Sequence, residues 1–256
     1  MIFDTHVHYD DEAYDEDREV FLGEIVQKGV GRVINVGATI DSAKEAVALS
    51  QKYDFIYAAV GVHPSDTADL TEEDMQWLTQ AAQMEKVVAI GEIGLDYHYD
   101  EPEKEVQKKW FVRQLRIAKE TKLPVCIHSR EAAQDTLTIM QQEHAEEIGG
   151  VIHCYSYGWE MAKIYLDMGF YLGIGGVVTF KNGRKLKEVV EKAPMEQLVL
   201  ETDSPYLSPE PYRGQRNSSD RLLYVANQIA ELKNMTTDEV IRITEENAKR
   251  LYRMKK

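Results

Sequence analysis

Long apolar runs, cysteine pairs and an excess of positive charge are all missing from this chain of 256 residues. No apolar stretch approaches the ~18 residues needed to cross a bilayer, so a membrane-spanning protein is not expected. The start, Met1-Ile2-Phe3-Asp4, is acidic and has neither the basic nor the apolar region of a secretory signal. The expected location is the cytoplasm. The two cysteines, Cys126 and Cys154, sit in apolar runs and form no CxxC pair. That argues against a disulfide framework, a structural zinc site or a thioredoxin-like redox motif, and each reads as a small buried hydrophobe. Thirty Lys and Arg against 44 Asp and Glu leave a net charge of −14. A basic coat protein for nucleic acid and a binder of anionic membranes are thereby excluded. A nuclease is not, because divalent cations reverse the local sign where a phosphate approaches. Neither GxGxxG nor GxxxxGK[ST] occurs, which removes the main argument for a doubly wound nucleotide-binding sheet.

What is present is a repeated alternation without low-complexity tracts or linkers. Short apolar runs at 2–5, 32–36, 55–62, 87–91, 124–127, 150–154, 170–174 and 198–200 read as strands. Helical patterns follow them at 15–28, from an Asp41 cap, from Thr71, and at 103–121, 130–143, 159–168, 184–192 and 219–232, with one more at 237–252. Eight strand–helix units in about 250 residues predict a (β/α)8 TIM barrel with an extra C-terminal helix, as one domain over 1–256.

Barrel active sites lie at the C-terminal ends of the strands. His6, His8, His63, His128 and His153 fall at or just beyond such ends, as do Glu92 after the fourth strand and Asp203 after the eighth. In extended chain, His6 and His8 project to the same side and can approach one ion. His128 could instead serve a helix start capped by Ser129, and His153 could be a buried structural histidine; their matching positions on consecutive strands favour ligand roles. His63 suits substrate contact, loop structure or metal equally. His98 and His144 read as surface residues. Histidine nitrogens and carboxylate oxygens without thiolate suit Mg, Mn, Fe or Zn. Six donors exceed one tetrahedral site, whereas two divalent ions bridged by Glu92 would use them all.

Five ordered motifs carry a resemblance: Phe3-Asp4-Thr5-His6-Val7-His8, Gly91-Glu92-Ile93-Gly94-Leu95-Asp96-Tyr97, His128-Ser129-Arg130, His153-Cys154-Tyr155-Ser156 and Glu201-Thr202-Asp203-Ser204-Pro205-Tyr206. Together they resemble the TatD family of metal-dependent deoxyribonucleases, among the amidohydrolase-type metal barrels, and the likeness extends to Asn247-Ala248-Lys249-Arg250-Leu251-Tyr252. The resemblance implies a (β/α)8 fold and metal-dependent, exonucleolytic hydrolysis of DNA phosphodiesters. It implies His6, His8, Glu92 and Asp203 around one ion and Glu92, His128 and His153 around a second, the ions being Mg, Mn or Zn. Two departures stand beside the ligands. Ser218-Ser219 follows Asn217 where the family often has an acid or amide and then proline, and Tyr157 stands where many members have glycine.

Asp203 and Glu92 are the expected catalytic carboxylates, Asp203 accepting the proton of the attacking water. His63, Arg130 and Arg213 are expected to contact substrate phosphates. Tyr206, Tyr155 and Trp159 could stack on an unpaired base of DNA, or of RNA, although packing suits each as well. Lys181, Arg184, Lys185 and Lys187 form the clearest basic cluster, fit either to steer a nucleic-acid backbone or to solvate a helix. Two other readings stay open: a related metal barrel acting on an amide, lactone or phosphotriester, and a non-catalytic metal-binding regulator. Glu92, where many amidohydrolases carry a carboxylated lysine, favours the nuclease. A monomer without obligate protein partner is expected.

Overall fold

Eight strands, all parallel and hydrogen-bonded in chain order, form the centre of the computed structural model, which describes residues 1–254. They are β1 (Ile2–Val7), β2 (Val30–Val36), β3 (Ile56–Val60), β4 (Val87–Asp96), β5 (Val125–Arg130), β6 (Gly150–Ile152), β7 (Tyr171–Ile174) and β8 (Leu198–Leu200). The ends of the sheet meet through a parallel bridge between Val7 and Ser204, where His8 N–H donates to Ser204 O at 2.8 Å. Residues 255–256 of the expected single domain lie outside the described residues.

Helices α1 (Arg18–Gln27), α2 (Ile40–Lys52), α3 (Glu72–Ala81), α4 (Lys104–Thr121), α5 (Ala133–Gln142), α6 (Trp159–Asp167), α7 (Arg184–Lys192) and α8 (Leu222–Lys233) surround the sheet. None of the described helices is long and apolar enough to cross a membrane. Alternation along the strands divides the apolar residues into two cores. Leu198 and Leu200 face the helix layer, while Val199 packs inside with Phe3, Ile34, Val36 and Val151. The last helix, α9 (Thr237–Leu251), supplies Ala248 and Leu251 to that inner core, and Tyr252 follows them. Tyr252 stacks on Phe3 at 6.2 Å and donates to Thr5 O at 3.3 Å, closing the barrel floor. Asn247 ties this helix to the start of β8 by donating to Met195 O and Leu198 O at 2.6 and 2.8 Å. With its floor closed, the barrel leaves one open end, the rim where the strands finish.

The expected Thr71 start of α3 is present, as a reciprocal capping box with Asp74. Three local expectations are corrected. Helix α2 is capped by Thr39, whose extended backbone lets its hydroxyl accept from Ser42 N–H at 3.0 Å, rather than by Asp41 in its first turn. Ser129 caps no helix: β5 continues through it, and its hydroxyl is buried against Thr136 Oγ1 (2.9 Å) and Tyr157 OH (3.0 Å). Strand β4 does not end before Glu92 but continues to Asp96, pairing Gly94, Leu95 and Asp96 with His128, Ser129 and Arg130. A register shift between Ile90 and Ile93 interrupts the pairing, and there Glu92 N–H donates across the barrel end to Gly37 O at 3.1 Å. Glu92 is therefore an interior position of a long strand, at the level where its neighbour β3 has already stopped.

Candidate metal centre

Strand geometry delivers the side chains. His6 and His8, two apart in and just beyond β1, place Nε2 atoms 3.1 Å from each other. Beneath them Asp4, fully buried, accepts from Thr202 N–H (2.9 Å), Thr202 Oγ1–H (2.6 Å), Ser219 Oγ–H (2.6 Å) and His6 N–H (3.3 Å). Burial pushes its carboxyl up to about 7, with these hydrogen bonds working the other way. This network fastens the end of β8 to β1, and Asp203 N–H adds a bond to His6 O at 3.0 Å. Asp203 itself has φ of 59°, and Cys154 beside His153 has φ of 46°. Left-handed backbone in residues other than glycine is uncommon and gathers at functional sites.

Glu92 lies in the middle of the cluster and spans its two halves. Its Oε2 is 3.3 Å from His6 Nε2 and 3.9 Å from His8 Nε2, while Asp203 Oδ1 is 3.8 and 3.5 Å from the same two nitrogens. Its Oε1 is 2.7 Å from His128 Nδ1, 3.7 Å from His153 Nε2 and 3.8 Å from His63 Nε2. Asp203 Oδ1 also reaches His153 Nε2 at 3.7 Å. All six expected ligands thus converge, and His63, left open by its sequence context, joins them. His98 and His144 are exposed, as expected.

The far edges of the imidazoles are occupied too. His8 Nδ1 faces Val36 O at 2.8 Å, and His6 Nδ1 faces Cys126 Sγ at 3.3 Å. His128 Nε2 meets Asp96 Oδ2 at 3.0 Å. His153 Nδ1 lies 3.1 Å from Glu201 Oε2, close enough for an ion pair though out of line for a hydrogen bond. A carbonyl only accepts, so His8 holds a proton on Nδ1 and turns Nε2 to the centre; Asp96 holds the outer proton of His128 on Nε2, and Glu201 that of His153 on Nδ1. Asp96, Glu201 and the sulfur of Cys126 were not singled out from sequence. The available signal was buried acid near each ligand: Glu201 stands two residues before Asp203, and Asp96 four after Glu92.

Glycines make room for these supports. A Cβ on Gly173 would lie 2.2 Å from Glu201 Oε2, and one on Gly94, whose φ is +147°, would lie 1.9 Å from His128 O.

The donor set fits divalent ions. Burial by itself raises the pKa of Glu92, yet the charges of His153, His6 and His63 and the hydrogen bond from His128 hold it well below the carboxylate range. Burial opposes protonation of His8 and His153, but Asp203 and Glu92 lift His8 to about 9, and Glu201, Glu92 and Asp203 lift His153 to about 10. The cluster therefore attracts positive charge strongly, and ring nitrogens converging from His6, His8, His128 and His153 on two carboxylates match nitrogen–oxygen coordination once an ion displaces their protons. The cysteines stay free, Cys126 buried and Cys154 partly exposed.

The cluster forms the floor of a cavity of about 720 Å³ whose walls include Ser65, Tyr99, Arg130, Ser156, Tyr206 and Leu207. Arg130 and Tyr206 therefore stand where substrate contact was expected. Arg213 does not; it lines a neighbouring groove and stacks on Phe180 at 4.4 Å. Tyr155 is buried with its hydroxyl on Gly158 O, and Trp159 packs under Lys192, so neither is a free stacking face. Lys181, Arg184, Lys185 and Lys187 lie outside the cavity wall. The two sequence departures have structural uses. Ser219 completes the Asp4 network, and Tyr157 OH accepts from Ala132 N–H at 3.2 Å, holding the start of α5.

A closed parallel barrel with a histidine–carboxylate cluster at its rim is the architecture of a metal-dependent hydrolase. Residues 3–253 match the family described as TatD related DNase. YabD of Bacillus subtilis, named as an uncharacterized metal-dependent hydrolase, is 48% identical over 99% of this chain and 100% of its own length. YcfH of Escherichia coli, with the same description, is 34% identical over 98% of this chain and 96% of its own. The crystal structure of YjjV, a TatD homologue from Escherichia coli, superposes with a TM-score of 0.93 at 31% identity, covering 99% of this chain and 98% of that one. The chain belongs to the TatD family of metal-dependent hydrolases.

Proposed function

We propose that the protein is a deoxyribonuclease that hydrolyses DNA phosphodiester bonds from chain ends, with two divalent ions, Mg, Mn or Zn, held by this cluster. The observation that carries the reading is the position of Glu92. Its Oε2 faces the His6–His8–Asp203 half and its Oε1 the His128–His63 half, with His153 Nε2 3.7 Å from both Glu92 Oε1 and Asp203 Oδ1, a placement that suits a carboxylate shared by two ions. Divalent ions bound there would supply the positive charge that activates water and neutralises the phosphate.

The chain's own residues do the rest. Asp203 is at the cavity edge of the cluster. Burial alone would raise its pKa, but His8, His153 and His6 lower it, so at neutral pH it is a free carboxylate able to accept the water's proton. Arg130, two residues beyond His128 on β5, projects to the same side as that ligand and offers a guanidinium fork to a phosphate oxygen. His63 closes the His128 side of the floor at 4.3 Å between rings.

The test is incubation of end-labelled single-stranded DNA, double-stranded DNA and RNA with each metal, with and without chelator. Stepwise, chelator-sensitive shortening of DNA is expected. Intact DNA together with turnover of a lactone or phosphotriester would overturn the nuclease reading.

A further inference from the structure

Behind His153, on the ring edge away from Glu92, three donor atoms of different chemistry come together. His153 Nδ1, Cys154 Sγ and a Glu201 carboxylate oxygen all lie within 4.8 Å of one another. His153 and Glu201 are both more than nine-tenths buried. Nδ1 and Oε2 are 3.1 Å apart, yet neither atom makes a hydrogen bond to any group among the described residues. As an ion pair the two attract, but the directional demand of a buried donor and acceptor is unmet. The same separation suits two ligands of one ion, because nitrogen and oxygen at about 2.1 Å from a tetrahedral zinc stand about 3.4 Å from each other.

The backbone holds the three together. Cys154 N–H donates to Glu201 Oε1, which ties one carboxylate oxygen down and leaves Oε2 facing Nδ1. Gly173 leaves the carboxylate its room, since a Cβ there would lie 2.2 Å from Oε2. Cys154 is partly exposed and lines both the large cavity over the cluster and an adjoining one of about 30 Å³, which Glu201 also lines. That volume suits one water or one small ion. Cys154, common to both cavities, gives such an ion access from the rim.

We propose that His153 Nδ1, Cys154 Sγ and Glu201 Oε2 form a second, inhibitory site for a thiophilic divalent ion such as Zn or Cd, outside the cluster centred on Glu92. The sulfur sets the selectivity, because Mg and Mn favour oxygen whereas Zn and Cd accept thiolate. Binding sends the thiol proton to solvent. A neutral imidazole keeps one proton, and with the ion on Nδ1 that proton sits on Nε2. Nε2, 3.7 Å from Glu92 Oε1 and from Asp203 Oδ1, then has no lone pair for an ion in the cluster. An excess of thiophilic metal thus withdraws His153 from the metal centre by occupying its other edge. That exclusion rests on the metal-centre reading of His153, whereas occupation of the outer site does not.

The experiment titrates Cd into the full chain loaded with Mn. Sulfur-to-metal charge-transfer absorption reports the outer site, and electron paramagnetic resonance of freed Mn reports loss from the cluster. The chain has two cysteines, so Cys154→Ser and Cys154→Ala assign the absorption band, with circular dichroism to show that both are folded. Wild type should develop the band and release Mn as it grows. Both variants should lack the band and should need at least about tenfold more Cd to release Mn, the lower end of what losing support for a bound ion costs. No band in wild type, a band that survives in the variants and so belongs to Cys126, or Mn release that Cys154 does not influence would each overturn the proposal. If the Mn-loaded protein leaves DNA uncut while band and release behave as expected, the nuclease reading fails and this site stands.

Discussion

The carboxylate of Asp96 stands 3.0 Å from Nε2 of His128, on the ring edge opposite the one that meets Glu92. Asp96 is itself fixed by accepting from His98 N–H at 2.9 Å, and Gln107 brackets its backbone with bonds to Asp96 N–H and O, each 2.9 Å. The ring is thus gripped at both edges, its Nε2 proton engaged and its Nδ1 aimed inward. Asp96→Asn keeps the shape but removes the charge. It should weaken metal affinity by about 10- to 100-fold, as losses of carboxylate support behind a histidine ligand commonly do. Titration with Zn or Mn against a competing chelator checks this; unchanged affinity would mean that Asp96 is merely structural.

Glu92 is the residue on which both halves of the cluster depend. Glu92→Ala should lose hydrolysis to background and lower the bound metal below that of the wild-type protein, with the far-UV circular dichroism of the folded barrel retained. Metal content by plasma emission spectroscopy, measured beside cleavage, decides it. A variant with full metal content and wild-type rate would remove Glu92 from the site.

Metal uptake should release protons. His8 and His153 have pKa values raised to about 9 and about 10, so in the metal-free protein at pH 7 both rings carry a proton that an incoming ion must displace. Apparent affinity should therefore strengthen as pH rises towards 9 and weaken as it falls, by about tenfold per pH unit for each proton released. Calorimetry in buffers of different ionisation enthalpy measures the release directly. Heats independent of buffer would show that the imidazoles were neutral beforehand.

Gly173 tests the packing behind His153. Its Cβ would meet the buried Glu201 carboxylate at 2.2 Å, so Gly173→Ala must displace that group or the strand. The expected cost is about 1–3 kcal/mol, typical of overpacking, read as a lowered denaturation midpoint. Metal affinity should fall with it. A variant as stable as wild type and with wild-type affinity would contradict this account of Glu201.

Much of the architecture was readable from local pattern. Eight apolar runs alternating with helical segments appear in the structure as eight parallel strands in that order, because burial on both faces demands near-continuous apolar strands. The ligand positions were readable for a related reason: a charged or histidine side chain at the end of such a run has one place to go, the rim. Glu92 was misplaced by one detail. Its apolar run reads as ending at Gly91, but Ile93 and Leu95 carry the strand on to Asp96, past a register shift between Ile90 and Ile93. Ser129 misled in the same way, its small polar side chain suiting either a helix cap or a buried hydrogen bond to Thr136 and Tyr157.

Strand order, helix count and the positions of the six metal-ligand candidates followed from the residues alone, since propensity and hydrophobic period act over a few neighbours. Closure of the barrel decided what no such window contains. It put Asp96 behind His128, Glu201 behind His153 and Cys126 behind His6. It also took Arg213 out of the cavity and onto Phe180. These are contacts between residues far apart in the chain, and their partners are chosen by which strands stand side by side or face to face once the sheet has closed.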